Sequence, residues 1–540
     1  MRFVFLVLSL FLLISSSTRT ESKKSDLPKN RPNIIFIMSD DHAYQAISAY
    51  GSKLIKTPNI DRLAKEGMLF TNACVTNSIC APSRATILTG THTHINGKID
   101  NYFPFDTTQV TFPQLFQENG YKTAMFGKLH FGNSPKGVDE FKILPGQGNY
   151  INPDFITTSG DTTRIEGYVT DVITDLTIDW LKREGDGNEP FMMMYLHKAP
   201  HRPWWPRPDK FAEFYEKKFP EPETLFDTYE NRGTAAKTAE MNLLSHMMYE
   251  HDSKVRPETI ERMGQKALPQ VQEYPNGFYG PYNRANTDQK AQYEPTLNAI
   301  NKDFEKHWPA MTEKEKMQWK YQRYMQDYLG CISSVDDNVG RLLDYLDETG
   351  LAENTIVIYT SDQGFFLGEH GWFDKRFIYN ESFKTPLMAR WPNTINAGTV
   401  ETSMVQNLDF AQTLLEAAQI DAPDHMQGES LMPLLLNNKQ EWKRDAVYYH
   451  YYEYPAVHMV KRHYGIVTEE FKLAHFYHDV DEWELYDRLK DPQELRNVYH
   501  EEKYQGIVKT LKNDLNLLRK KYKDSTELDQ KFIELYKSKK

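Results

Sequence analysis

The sequence predicts an α/β fold: a large, mostly parallel sheet flanked by helices, followed by a smaller C-terminal antiparallel sheet plus a closing helix. Three observations predict it. Short, continuous apolar runs alternate with amphipathic segments through the first two thirds of the chain. A run with no polar alternation suits a strand buried on both faces, which is the parallel case. Each of four such runs ends in a cluster of polar and ionisable residues, where open α/β sheets bind their ligands. Beyond Pro392 the pattern changes to short, aromatic-rich segments at close spacing, the mark of an antiparallel sheet.

Met1-Arg2 precedes an uncharged run from Phe3 to Ile14 and then Ser15-Ser16-Ser17. That is the charged start, apolar centre and small-residue exit of a signal peptide over residues 1–20. The chain is therefore expected to be exported, to the periplasm or beyond. No later stretch reaches the roughly 18 apolar residues of a spanning helix, so no integral membrane segment is expected. The four buried strands are Asn33–Met38, Tyr121–Phe126, Phe191–Leu196 and Thr355–Tyr359, with helical patterns at Asn59–Glu66, Ala85–Leu88, Thr111–Asn119 and Tyr168–Arg183. Residues 206–310, rich in Glu, Lys, Tyr, Asn and Pro, read as an insertion of helices and loops over the sheet. Glu313–Glu348 reads as a helix whose Tyr321, Tyr324, Tyr328, Ile332 and Val335 pack a core. Residues 26–395 form the expected first domain and 396–540 the second. The second holds strand candidates at 447–452, 464–468, 471–476 and 482–487, a helix at Lys503–Tyr522, and a solvated Lys-rich tail.

At 540 residues the chain exceeds one ordinary core. A net charge of -11 leaves no basic footprint for nucleic acid. Cys74, Cys80 and Cys331 are too few and too odd in number for a disulfide framework, although a Cys74–Cys80 bridge stays open as the lesser reading.

The chemistry starts at Cys80-Ala81-Pro82-Ser83-Arg84, which opens a helical pattern running to Thr89-Gly90. A helix N-terminus gathers unpaired N–H groups and favours an anion, with Arg84 one turn on. Asp40-Asp41 follows the first strand and Asp362-Gln363 the last. Adjacent carboxylates need solvent or a cation, and an all-oxygen set suits one divalent hard ion, Ca²⁺ ahead of Mg²⁺. Zinc is disfavoured without a His/Cys cluster. Lys128, His130 and His201 lie past strand ends, and Lys375 in a Gly- and aromatic-rich loop, as cationic and proton-transferring groups.

Taken together, these motifs resemble a type I, formylglycine-dependent sulfatase of the alkaline-phosphatase-like superfamily. The signature is Cys80-x-Pro82-Ser83-Arg84 with Thr89-Gly90. Asp40-Asp41, Gly127-Lys128-x-His130, Ala199-Pro200-His201 and Ser361-Asp362-x-Gly364 with Lys375 follow in order. The resemblance implies that Cys80 is oxidised to formylglycine by a formylglycine-generating or sulfatase-maturating enzyme, and that its hydrate attacks sulfur and later expels sulfate. It implies Asp40, Asp41, Cys80, Asp362 and Gln363 as metal ligands, where many sulfatases have Asn, and some His, at the Gln363 position. It implies Arg84, Lys128 and Lys375 as charge stabilisers, His201 as donor to the leaving oxygen, and His130 as an aid to collapse.

His94, Arg202 and Trp204, beside these motifs, are candidate sugar contacts. The expected substrate is a sulfated glycan, placed first among algal polysaccharides such as ulvan and second as a glucosamine-6-sulfate glycosaminoglycan. The second reading rests on Leu144–Tyr150 and Asn152–Phe155, which resemble glucosamine-6-sulfate enzymes. Rivals are a phosphatase or phosphonate-ester hydrolase on the same scaffold, and a non-catalytic glycan-binding protein with Cys80 unmodified.

Overall fold

The computed structural model describes residues 31–185, 187, 189–265 and 277–538; the expected signal peptide lies outside them. Ten strands form one mixed sheet: β1 Asn33–Ser39, β2 Met68–Phe70, β3 Lys122–Gly127, β4 Glu140–Ile143, β5 Asp154–Thr157, β6 Thr162–Arg164, β7 Phe191–Leu196, β8 Thr355–Ser361, β9 Leu387–Arg390 and β10 Thr399–Glu401. Their order is β10-β2-β9-β8-β1-β7-β3-β4-β5-β6. The central four, β8, β1, β7 and β3, are parallel and are the four read from the sequence. The exceptions lie outside them: β9 runs antiparallel to β8 and β2, and β5–β6 is an antiparallel flap at the far edge.

Both faces of the sheet are covered, which accounts for the unbroken apolar runs. Along β1, Ile35 and Ile37 join one core, and Ile34, Phe36 and Met38 the other. The first core is closed by helices Val169–Glu184 and Glu313–Thr349, the second by Phe112–Glu118, Cys80–Thr89 and Phe410–Ala417. Tyr321, Tyr324, Tyr328, Ile332 and Val335 are buried as expected. Tyr328 does more than pack, since its hydroxyl donates to the Asp41 carbonyl at 2.6 Å.

Within 206–310, helix Pro208–Tyr215 packs against both Thr287–His307 and Glu313–Thr349. Beyond residue 395 the large layer continues, because β10 pairs with β2 and Phe410–Ala417 lies on its face. The small sheet follows as four antiparallel strands, β11 Ala446–Tyr451, β12 His463–Thr468, β13 Phe471–Phe476 and β14 Glu482–Asp487. One face packs with Ile79, Phe366, Trp372 and Phe377 in a core shared with the first region. The other receives Val508, Leu511 and Leu515 of helix Gln505–Lys521. A further helix, Thr526–Ser538, follows it. No helix among the described residues is long and apolar enough to cross a membrane.

Candidate active site

Strand register decides where the chemistry collects. Ser39 pairs with Ser361, Met38 with Leu196, and Gly127 also with Leu196. The chain therefore leaves β1, β8, β7 and β3 at one edge, delivering Asp40-Asp41, Asp362-Gln363, His197–His201 and Lys128–His130 together. Helix Cys80–Thr89 points its first turn at the same place. All ten of its residues are buried and it stops at Gly90, whose φ of 61° supplies the left-handed cap. The Ile79 cap offers no side-chain acceptor; Asn101 Oδ1 instead accepts from Ala81 N at 3.1 Å.

The acidic residues sit at the centre, with Asp40, Asp41 and Asp362 each fully buried. One oxygen from each lies within 4.8 Å of the others, and Asp40, Cys80 and His201 form a second group of the same size. Asp362 Oδ1 accepts from Asp41 N at 3.1 Å and Oδ2 from Arg84 Nε at 2.9 Å. Asp40 pairs with Lys128 Nζ, and Asp41 Oδ2 with Lys375 Nζ at 2.7 Å and His201 Nε2 at 3.7 Å. Gln363 Nε2 donates to Asp41 and stands 3.9 Å from Cys80 Sγ. Ser83 Oγ donates to the Asp362 carbonyl and accepts from Asn407 Nδ2 at 2.8 Å, locking the helix to β8. Asp41 and His130 both take positive φ, 67° and 68°, a conformation that non-glycine residues adopt at some cost and that clusters at functional sites. The site thus brings together Asp40, Asp41, Cys80, Arg84, Lys128, His201, Asp362, Gln363 and Lys375. His130 lies alongside, with Nδ1 buried and unbonded among the described residues.

Burial and mutual repulsion shape the titration. Burial raises Asp41 to about 6, with Lys375 opposing and Asp40 adding. Burial and then Asp40 raise Asp362 to about 7. Burial pushes Asp40 up too, but Lys128, His201, Arg84 and Lys375 outweigh it and hold it well below the usual range. Burial takes His201 and His130 well below the usual imidazole range, Lys128 adding to both. Burial also pushes the Cys80 thiol up despite Lys375, so a thiolate nucleophile is disfavoured here. Asp40 Oδ1 and Gln363 Oε1 accept no hydrogen bond from any described residue. Three crowded carboxylates with two idle oxygen acceptors, in a set dominated by oxygen, fit one hard divalent cation.

Beside this cluster opens a cavity of about 180 Å³ lined by Asn101, Gln147, Lys198, His201, Arg202, His251, Asp374, Lys375, Arg376 and His458, among others. Of the expected sugar contacts, Arg202 lines it, its guanidinium held by Asp252 at 2.6 and 2.7 Å. Trp204 does not. It has no exposure and packs on Tyr324, Tyr328 and Phe365, since an indole this large is worth more in the core than at a rim. His94 is likewise buried elsewhere, bonded to the Tyr522 carbonyl at 2.8 Å and stacked on His92. Cys74, Cys80 and Cys331 are free thiols, so the Cys74–Cys80 bridge is not formed. Arg376 adjoins the motif residue Lys375, and that adjacency is its one local signal. Asn101, His251 and His458 carry no local signal at all.

Residues 32–420 match the model of the family described as Sulfatase, and residues 368–521 that of the N-sulphoglucosamine sulphohydrolase C-terminal region. The chain belongs to the sulfatase family. It is a sulfuric ester hydrolase. A relative from Bacteroides thetaiotaomicron named N-acetylglucosamine-6-O-sulfatase is 45% identical over 513 residues, spanning 94% of this chain and 89% of its own. An ulvan-active sulfatase of Formosa agariphila is 22% identical over 520 residues, covering 94% and 84%. A solved structure described as a complex with its substrate D-glucosamine-2-N,6-O-disulfate superposes with TM-score 0.87 at 45% identity, covering 93% of this chain and all of that one. A phosphonate monoester hydrolase of Agrobacterium radiobacter shares the fold, with TM-score 0.61 at 21% identity over 91% and 96% of the two chains.

Proposed function

We propose that the protein removes the 6-O-sulfate from an N-substituted glucosamine unit of a glycosaminoglycan-type glycan. Its main support is the position of the polar cavity, whose wall includes His201 and Lys375, the two groups that also meet at Asp41. The 45% relative and the disulfate complex supply the sugar, against 22% for the ulvan-active enzyme. The order expected from sequence is therefore reversed, with glucosamine 6-sulfate ahead of ulvan. The phosphonate hydrolase supports only the scaffold.

In this reading Asp40, Asp41, Asp362 and Gln363, with residue 80, hold one divalent cation, Ca²⁺ by the chemistry of the donors. When bound, it supplies Lewis acidity toward the sulfate oxygens. Cys80 is the residue converted to formylglycine by a maturating enzyme during export to the periplasm or beyond. Arg84 and Lys128 stay fixed on Asp362 and Asp40 and face the ester with preorganised positive charge. Lys375 is held by Asp41 and needs no reorientation to do the same. His201 sits between the cluster and the cavity, where the leaving sugar oxygen must receive a proton. His130 serves the second half of the cycle.

A panel of defined sulfated sugars tests the assignment, with the freed hydroxyl located by NMR. Release from C6 of glucosamine derivatives is expected. Preferred turnover of ulvan oligosaccharides, or of aryl phosphate over aryl sulfate, would overturn it.

A further inference from the structure

Among the described residues, each Lys and Arg lining the cavity has an acidic partner except one. Lys375 pairs with Asp41 at 2.7 Å, Arg376 with Glu453 at 2.6 Å, Arg202 with Asp252 at 2.6 Å, and His458 with Asp374 at 3.3 Å. Lys198 is 1% exposed and lines the same cavity. Its Nζ has no hydrogen-bond acceptor among the described residues, only the Tyr150 ring 4.7 Å away. Gln147 lines the cavity too, and its Oε1 is buried without a donor among the described residues. The two are tied to the reaction centre. The His201 N–H donates to the Lys198 carbonyl at 3.0 Å, and Tyr150, three residues past Gln147, donates to the His201 carbonyl at 2.7 Å.

We propose that Lys198 and Gln147 form the subsite for the substituent on the sugar's amino nitrogen, Gln147 Oε1 accepting its N–H and Lys198 Nζ donating to its oxygen. This rests on the glucosamine 6-sulfate reading above. A buried ammonium without an acceptor and a buried amide oxygen without a donor are both unfavourable until something pairs them. An N-sulfo group offers the matching set: one N–H, then anionic oxygens one atom further out. An N-acetyl group has the same pattern without the charge. A free amine is protonated, has no oxygen and repels Lys198. Burial, assisted by Lys128, lowers Lys198 to about 7, so an anion bound beside it also holds its proton. The subsite ranks N-sulfo above N-acetyl and both above the free amine.

The test measures kcat/KM of the matured enzyme on the 6-sulfates of N-sulfo-, N-acetyl- and unsubstituted glucosamine, for wild type, Lys198→Met, Lys198→Arg and Gln147→Leu. Wild type is expected to show the stated order. Lys198→Met should lower the N-sulfo value at least tenfold further than the N-acetyl value, with Lys198→Arg recovering part of the difference. Gln147→Leu should lower the two N-substituted substrates together relative to the free amine. As a second measurement, glucosamine N-sulfate without the 6-sulfate should inhibit wild-type aryl-sulfate hydrolysis at least tenfold better than N-acetylglucosamine. Lys198→Met should erase that gap. Equal losses on all three substrates, or none, would overturn the subsite. If Lys198→Met does not fold, a wild-type enzyme that accepts the free amine as well as N-sulfo overturns it alone. Wild type inert on all three 6-sulfates but active on another sulfated sugar would instead remove the underlying reading, and the subsite with it.

Discussion

Replacing Gly127 with alanine tests how the sheet sets the site. Gly127 ends β3 with φ of 111°, and a methyl group there would meet the Leu196 carbonyl oxygen at 1.8 Å and its carbon at 2.8 Å. The conformation costs a side chain about 1–2 kcal/mol. The collision adds about 1–3 kcal/mol of overpacking, because backbone must move by more than an ångström. The displaced atoms matter most. Lys128 N donates to this same Leu196 oxygen at 2.9 Å, so the methyl separates the turn carrying Lys128 and His130 from the one carrying His201. Misplacement of about 1 Å at a reaction centre costs about 10²-fold in rate. Gly127→Ala should therefore lose about 2–5 kcal/mol of stability in denaturant titration and about 10²-fold in kcat on an aryl sulfate. Gly160→Ala is the control, since Gly160 has φ of 87° but nothing within 4 Å of its would-be methyl. It should show the conformational cost alone, with kcat unchanged. If Gly127→Ala keeps wild-type kcat and is no less stable than Gly160→Ala, the proposed link between strand register and catalytic geometry is wrong.

Other expectations follow from the same contacts. Asp362→Ala should abolish stoichiometric divalent metal, read by elemental mass spectrometry. Chelation should silence wild type, and added Ca²⁺ should restore it; retention of metal by Asp362→Ala would refute the ligand set. The Cys80 peptide of active enzyme should be about 18 Da lighter than its thiol form, and Cys80→Ala should be inactive with unchanged stability. An unmodified peptide in active enzyme would end that assignment. His463 is driven by burial down to about 3, its Nδ1 facing the Lys461 carbonyl at 2.8 Å and its Nε2 accepting from Ile378 N at 3.1 Å. Its folded value lies below its unfolded value near 6.5, so the unfolded chain binds the extra proton and stability falls as pH drops from about 6.5 toward 3. By pH 5 the loss is about 2 kcal/mol. His463→Gln should lose that much less than wild type between pH 7.5 and 5.0, and parallel losses would contradict it.

Much of this molecule was readable from its chain because the signals are local. An apolar run followed by Asp-Asp or Asp-Gln already states a buried strand with side-chain oxygens at its end, and parallel register then aligns the ends without further information. The same logic exposed Cys80 and Arg84 at a helix start. What escaped depends on partners hundreds of residues apart. No pattern around Tyr328 announces that its hydroxyl holds the Asp41 carbonyl, 287 positions away. Trp204 and His94 look like rim residues by composition and neighbourhood, yet burial is decided by Tyr324 and Tyr522, which sequence cannot place beside them. The antiparallel β9 escaped because its Leu-Met-Ala-Arg is too short to signal a direction.

The split between β-strand ends and cavity wall has an evolutionary consequence. Asp40-Asp41, Lys128, His201 and Asp362-Gln363 follow the ends of the four central strands, whereas the cavity beside them is walled in part by Gln147, His251, Arg376 and His458, drawn from a flap loop, the 206–310 segment and the C-terminal half. Loops of that kind tolerate replacement far better than strands do. Chains built on this scaffold could thus come to hold different ligands in the cavity by exchanging peripheral segments, while the cluster at the strand ends stayed where it was.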